Sequence, residues 1–180
     1  MRLQRNVWLL LVAGVLVFVQ PAYADQCDDM NAKAKAAFAS AREASIQKNY
    51  DRAAELYEEA GKYYEEVANM KNCRCPKVPK NAQENVNLSR NAAAEARLAA
   101  QYRVANAKYD EGTAYTKKMQ WDEANAAFLE AAQIWDSVGG ATQSELGKTA
   151  LESANVARDA AHKALSHKNN NQAWEMVKGK

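Results

Sequence analysis

Proline and glycine are scarce in this 180-residue chain, which contains three prolines and seven glycines. No proline follows Pro79, and no segment alternates apolar and polar residues as a half-buried strand does. Alanine, in contrast, occupies 34 of the 156 positions from Asp25 onward, and alanine loses the least free energy on entering a helix. The sequence therefore excludes a sheet-based fold and predicts an all-α protein.

Histidine is almost absent as well. His162 and His167 are the only two, and a spacing of five residues places them on different faces of a helix. The chain has no glycine-rich phosphate loop, and no nucleophile, base and orienting residue form a recognisable set. We therefore expect no enzymatic activity, no metal site and no cofactor.

The first 24 residues have the pattern of an export signal. Arg2 and Arg5 precede 13 apolar residues over 7–19, and the segment "AYA" ends at Ala24. A membrane anchor would need about 20 apolar residues to cross the hydrocarbon, so cleavage after residue 24 is the preferred interpretation. The protein is then expected to be secreted across the inner membrane, and to be periplasmic if its source is a Gram-negative bacterium.

The net charge of the chain excludes some partners. Removing residues 1–24 takes away two of 24 basic residues and none of 22 acidic ones, so that 22 of each sign remain. A chain without net charge has no overall field that attracts polyanions. We expect neither nucleic-acid binding nor membrane insertion after cleavage.

Two segments of the chain repeat each other. "KNYDRAAELYEEAGKYYEEV" (48–67) and "MQWDEANAAFLEAAQIWDSV" (119–138) align without a gap at an offset of 71. In each segment, aromatic residues recur every seven positions with an alanine three residues after the first two. On a helix this spacing predicts a stripe of large rings alternating with small notches, against which an antiparallel helix packs closely. The two aromatic stripes consist of Tyr50, Ala53, Tyr57, Ala60 and Tyr64, and of Trp121, Ala124, Phe128, Ala131 and Trp135.

Breakers and caps divide the rest of the chain. Pro76 and Pro79 predict a loop, Asn49 is a suitable N-cap, and Gly139-Gly140 ends a helix before a capping box of Thr142 and Glu145. We predict a single domain over 25–180, with a hairpin over 27–71 (helices 27–47 and 50–71), a loop over 72–80, a long helix over 81–118, its partner over 121–138, and helices over 142–166 and 171–178.

The pattern of the two segments resembles the second helix of a tetratricopeptide repeat, a 34-residue helical hairpin. Gly112 and Tyr115 also match the first helix of such a repeat. The two copies stand 71 residues apart instead of 34, so a long helical segment is inserted between them. The resemblance implies a short, irregular right-handed array of stacked antiparallel hairpins that binds another protein.

The same resemblance implies a concave groove lined by the first helix of each hairpin. An aromatic ring among basic and amide side chains would suit an extended peptide, whose backbone or carboxylates these side chains would bind. The alternative is that the long helix or the last helix fills the groove, and the sequence leaves both open. The implied positions are Lys35, Phe38, Arg42 and Ser45 in the first copy, and Asn106, Tyr109, Thr113 and Lys117 in the second.

The three cysteines predict a disulfide. Cys27 lies 22 residues before Asn49 and Cys73 lies 24 after it, so an antiparallel hairpin brings both to its open end. In an oxidising compartment we expect Cys27 to pair with Cys73 or with Cys75. The remaining thiol is left idle, bridges to another molecule or takes part in exchange.

Together these features favour an exported, non-enzymatic adaptor or scaffold of the cell envelope that binds another protein or peptide segment. One alternative is a structural subunit that self-associates through its alanine-rich helices into a homo-oligomer. A less favoured alternative is a small helical protein with thiol and disulfide chemistry.

Overall fold

The computed structural model describes residues 22–71, 73 and 77–178. The predicted export signal, as far as residue 21, and Cys75 lie outside these residues. The described part of the chain contains helices and no strand, which confirms the all-α prediction. The helices are α1 (Ala22–Ile46), α2 (Tyr50–Asn69), α3 (Lys77–Lys117), α4 (Trp121–Ala141) and α5 (Glu145–Lys178).

The described part of the chain forms two compact units. Of the described residues, those up to Ala44 and those over Glu55–Ala93 form unit 1, and those over Ser45–Ala54 and from Ala94 onward form unit 2. Helix α3 contributes to both. Its 41 residues extend about 60 Å at the α-helical rise, so its two parts belong to separate cores.

Unit 1 is built on the antiparallel packing of α1 and α2, with the beginning of α3 against α2. A disulfide joins Cys27 to Cys73, with the two Cα atoms 5.7 Å apart, which is the first of the two pairings that the sequence allows. The ring of Phe38 meets that of Tyr57 edge to face at 5.0 Å. One buried cluster of this unit contains Cys27, Ala34, Ala37, Ala60, Tyr64, Val67, Ala82 and Val86.

Unit 2 places α4 between α3 and α5. On the α3 side, the rings of Tyr109 and Phe128 lie 5.0 Å apart. On the α5 side, Ala161 and Ala164 pack with Ala124 and Phe128. The ring pair of this unit repeats the pair Phe38 and Tyr57 of unit 1 at the offset of 71, so the duplication includes the helix that precedes each aromatic stripe. Farther along α4, the core is formed by Ala105, Ala131, Ala132, Trp135, Val138, Ala150, Ala154 and Ala157.

Both aromatic stripes face protein. Tyr57 and Phe128 are 8% and 5% exposed, and the four alanines of the stripes have no exposed surface. Tyr64 and Trp135 are also buried, and Gly112 is buried beside Phe128. At the outer ends, Tyr50, Trp121 and Tyr115 are partly buried.

The turns before the two stripes have the same geometry. Lys48 and Met119 adopt positive φ angles of 59° and 58°, and the amide of each donates to a carbonyl three residues earlier at 3.0 Å. The side chain of Asn49 accepts from the amide of Arg52 at 3.4 Å, whereas Gln120 makes no side-chain cap. Arg103 of α3 contacts Asp51, just after the first of these turns, at 3.2 Å within unit 2.

The predicted loop over 72–80 is too long. Helix α3 begins at Lys77, so Pro79 lies inside its first turn. Proline is tolerated there because the first N–H groups of a helix have no intrahelical partner. Pro79, which predicted a loop, is therefore compatible with the first turn of α3.

The predicted boundary at Gly139-Gly140 is displaced. Helix α4 continues through both glycines to Ala141, and α5 begins at Glu145 instead of 142. The hydroxyl of Thr142 accepts from the amide of Ser144 at 3.2 Å. Thr142 thus closes a short turn ahead of the helix, and the expected capping box with Glu145 is not the cap that forms.

The separate helix predicted over 171–178 is wrong, because α5 continues without a break to Lys178. The ring of His167 stacks on that of Trp121 at 5.3 Å, and Lys168 donates to both carboxylate oxygens of Asp122 at 2.7 and 2.8 Å. The asparagines at 169–171 each cost well under about 1 kcal/mol in a helix. These contacts hold the helix across a segment whose composition suggested a turn.

We predict that the disulfide contributes about 4 kcal/mol to the free energy of unfolding, since it closes a loop of 46-residue separation. A double variant Cys27→Ala/Cys73→Ala should lose that amount in urea unfolding measured by circular dichroism. The variant Cys75→Ala is the control and should retain the wild-type stability. Loss of stability in Cys75→Ala with none in Cys73→Ala would assign the bond to the other cysteine.

Two glycines should respond oppositely to the same substitution. A Cβ at Gly61 would lie 3.4 Å from that of Ser89, an ordinary contact, whereas a Cβ at Gly112 would lie 2.7 Å from the buried ring of Phe128. We expect Gly61→Ala to stabilise by about 0.5–1 kcal/mol through helix propensity. Gly112→Ala should destabilise by about 1–3 kcal/mol through overpacking. Thermal and urea unfolding of both variants check the signs, and equal effects would contradict the packing at Gly112.

Candidate functional site

A groove of about 390 Å³ opens in unit 2 between α3 and α5, above α4. Its first wall is Asn106 and Tyr109 of α3, and its floor is Trp135 of α4. Its second wall consists of α5 residues that lie three, four and seven positions after Thr149, which places them on one helix face. These residues are Thr149, Glu152, Ser153 and Val156.

Aromatic rings shape the inner surface of the groove. The ring of Trp135 lies 5.8 Å from that of Tyr109 and 6.0 Å from that of Tyr102. The hydroxyls of Tyr102 and Ser153 are within hydrogen-bond distance at 3.3 Å, which connects α3 to α5. Because Thr149 and Ser153 of α5 have small side chains, there is free volume beside the contact between Tyr102 and Ser153.

The polar side chains of the groove differ in the hydrogen bonds that they can still form with a ligand. Thr149 donates its hydroxyl hydrogen to the carbonyl of Glu145 at 2.9 Å, so its oxygen offers only acceptor capacity to a ligand. Glu152 is exposed, and no hydrogen bond or ion pair to another described residue engages its carboxylate. Val156 is 56% exposed. The groove therefore combines one available carboxylate with apolar and hydroxyl surface.

The basic residues that lie along α4 are occupied. Lys108 of α3 contacts Glu111 at 3.3 Å and Glu130 of α4 at 3.0 Å. Hydrogen bonds to Glu130 and then to Glu111 raise the pKa of Lys108, so its charge is retained in this pair. Arg158 of α5 is similarly paired with Asp136 of α4. Neither basic residue is among those that line the groove.

In the second copy, two of the four positions implied by the tetratricopeptide resemblance line the groove. They are Asn106, which is exposed, and Tyr109, which is half-buried. Thr113 and Lys117 are not part of the lining. Thr113 donates to the carbonyl of Tyr109 at 3.1 Å, and Lys117 is exposed at the last residue of α3.

In the first copy, the implied positions are not gathered into the groove. Lys35 and Arg42 are exposed, Ser45 is half-buried, and Phe38 packs on the core of unit 1. Phe38 is an implied groove position for which the sequence leaves a core role open, and its edge-to-face contact with Tyr57 makes it part of the packing between α1 and α2.

The sequence interpretation missed the α5 wall. It leaves open whether the groove is accessible or is filled by the long helix or the last helix. In the structure, α5 forms one wall of the groove and leaves space next to it. The positions 149, 153 and 156 are spaced as one helix face. That spacing was a usable signal, but nothing in the sequence paired this face with α3.

The described residues lack two features. They contain no group of three or more histidine, cysteine, aspartate or glutamate side chains that could hold a metal ion. No helix within 22–71 or 77–178 combines the length and apolar character that crossing a membrane requires.

The chain matches none of the protein families, characterised proteins or solved structures with which it was compared. Its functional interpretation therefore rests on the residues of the groove.

Proposed function

We propose that this protein is an exported, non-enzymatic adaptor that binds an extended segment of another envelope protein in the groove of unit 2. The observation that carries the proposal is the groove itself, in which an aromatic floor is bordered by polar side chains of two different helices. Clefts of about 300–1,000 Å³ with aromatic surface and a few polar groups are typical of small-molecule sites, so a groove of this size suits a short part of a peptide. An extended chain that lies between two helices presents both side chains and backbone groups to such walls.

The lining supports binding more than catalysis. Its serine, Ser153, is hydrogen-bonded to the Tyr102 hydroxyl, which is a weak base at neutral pH. Its carboxylate, Glu152, is exposed to solvent, whereas catalytic sites generally exclude water. A nucleophile with an adjacent base is the arrangement that acyl transfer would require.

The duplicated architecture also favours a recognition protein. The ring pairs Phe38–Tyr57 and Tyr109–Phe128 have the same separation of 5.0 Å, and the turns at Lys48 and Met119 have the same backbone geometry. Together with the tetratricopeptide-like spacing of the aromatic stripes, these features support a short, irregular repeat protein. Export is proposed from the residues up to Ala24 alone.

The proposal predicts selective peptide binding that a groove-filling substitution removes. The chain from Asp25, with its disulfide formed, would be panned against a displayed library of random dodecapeptides. Affinities of the selected peptides would then be measured by fluorescence anisotropy. In Asn106→Trp, the indole should occupy the groove and weaken binding at least about tenfold, or about 1.4 kcal/mol.

The matched control is Asn91→Trp, because Asn91 is exposed on the same helix α3 but belongs to unit 1. It should bind the selected peptides as the wild type does. Thermal unfolding of both variants verifies that they are folded. Selection of no related peptides, or equal binding by both tryptophan variants, would contradict a peptide-binding groove.

A further inference from the structure

The charge of the groove is opposite to the one implied by the tetratricopeptide resemblance. The implied positions included three basic residues, Lys35, Arg42 and Lys117, whereas the charged residue in the lining is the acidic Glu152. Lys148 lies one turn before Glu152 on α5 and contacts Glu145 at 3.7 Å. The carboxylate of Glu152 is therefore left to attract a cation from outside the chain.

Both walls are acidic beyond the groove in the C-terminal direction, whereas Arg103 of α3 and Lys148 of α5, one turn before the lining residues, are basic and are paired with Asp51 and Glu145. Asp159 follows Glu152 by seven residues, which places it within about 20° on the same face of α5. Asp110 follows Asn106 by four residues on α3, again on a shared face. Both aspartates are exposed. A positively charged ligand would thus meet acidic side chains next to the groove as well as inside it.

The remaining lining groups suit a cation that is also flat and rich in hydrogen-bond donors. The rings of Tyr109 and Trp135 line the groove, and aromatic rings attract cations and stack with planar guanidinium groups. Thr149 can only accept there, because its hydrogen is already donated to the carbonyl of Glu145. The Asn106 amide oxygen adds a further acceptor. A guanidinium group carries five N–H donors and no acceptor, which complements this set.

We propose that the groove receives an arginine side chain of the bound peptide, with the guanidinium group between Glu152 and the ring of Tyr109. This inference rests on the proposed function, since it names the residue that the peptide must present. A lysine ammonium carries the same charge but is a compact ion that is more strongly hydrated, so it gains less from the rings. The order of preference should therefore be arginine, then lysine, then a neutral side chain.

The test compares three versions of one selected peptide against three proteins. The peptide is synthesised with arginine, lysine or citrulline at the selected basic position, where citrulline keeps the shape of arginine and removes its charge. The proteins are the wild type, Glu152→Gln, and the control Glu84→Gln, which removes an exposed carboxylate of α3 in unit 1. Anisotropy titrations at low and high salt give each affinity.

We expect citrulline to weaken binding to the wild type by about tenfold or more, the range of a charge-assisted hydrogen bond, and lysine by less. Glu152→Gln should weaken the arginine peptide by a similar factor and leave the citrulline peptide unchanged, while Glu84→Gln changes neither. Higher salt should weaken the arginine peptide most.

The experiment distinguishes failure of the arginine assignment from failure of the proposed peptide binding. If the selected peptides lose affinity in Asn106→Trp but carry no basic residue, or bind Glu152→Gln as tightly as the wild type, the arginine assignment is overturned and the groove stands. A selected acidic motif would overturn it in the same way. If no peptide depends on Asn106, the proposed function itself fails.

Discussion

Alanines without exposed surface determine how closely the helices of this protein approach one another. Ala53, Ala60, Ala124 and Ala131 are all 0% exposed, and each lies between aromatic residues that fill the space on either side. The ring pairs at 5.0 Å in both units are the result of this spacing. Large rings at every position would force the helices apart, and alanines alone would leave voids, so the alternation is what allows dense packing.

A core built from alanine has consequences for stability and for function. Each alanine buries little apolar area, so the loop-closing disulfide between Cys27 and Cys73 supplies stability that the side chains of unit 1 do not. In unit 2, the small residues Thr149 and Ser153 of α5 face the large Trp135, and the free volume between the walls is the groove. The same use of small side chains that brings α4 and α5 together leaves space where α5 faces α3.

Residue spacing and caps along the sequence predicted most of the helices. The helix boundaries that were predicted wrongly depend on tertiary contacts. The seven-residue aromatic spacing was sufficient to identify the two stripes, and Asn49 and the three cysteines were informative by type and position. The continuation of α5 past 166 depends on His167 and Lys168 contacting the start of α4, which no local pattern shows. The site was half predicted, because Asn106 and Tyr109 follow from the tetratricopeptide resemblance. The opposite wall requires knowledge of which face of α5 meets α3.

The close approach of helices at alanine is tested most directly by one substitution made at two places on α4. Ala131 has no exposed surface, whereas Ala126 is exposed on the same helix, and leucine and alanine have similar helix propensities. Urea unfolding should show Ala131→Leu destabilised by about 1–3 kcal/mol or more through overpacking. Ala126→Leu should remain within about 0.5 kcal/mol of the wild type. Equal stabilities of the two variants would contradict the account, because the helices could not then be in contact at Ala131.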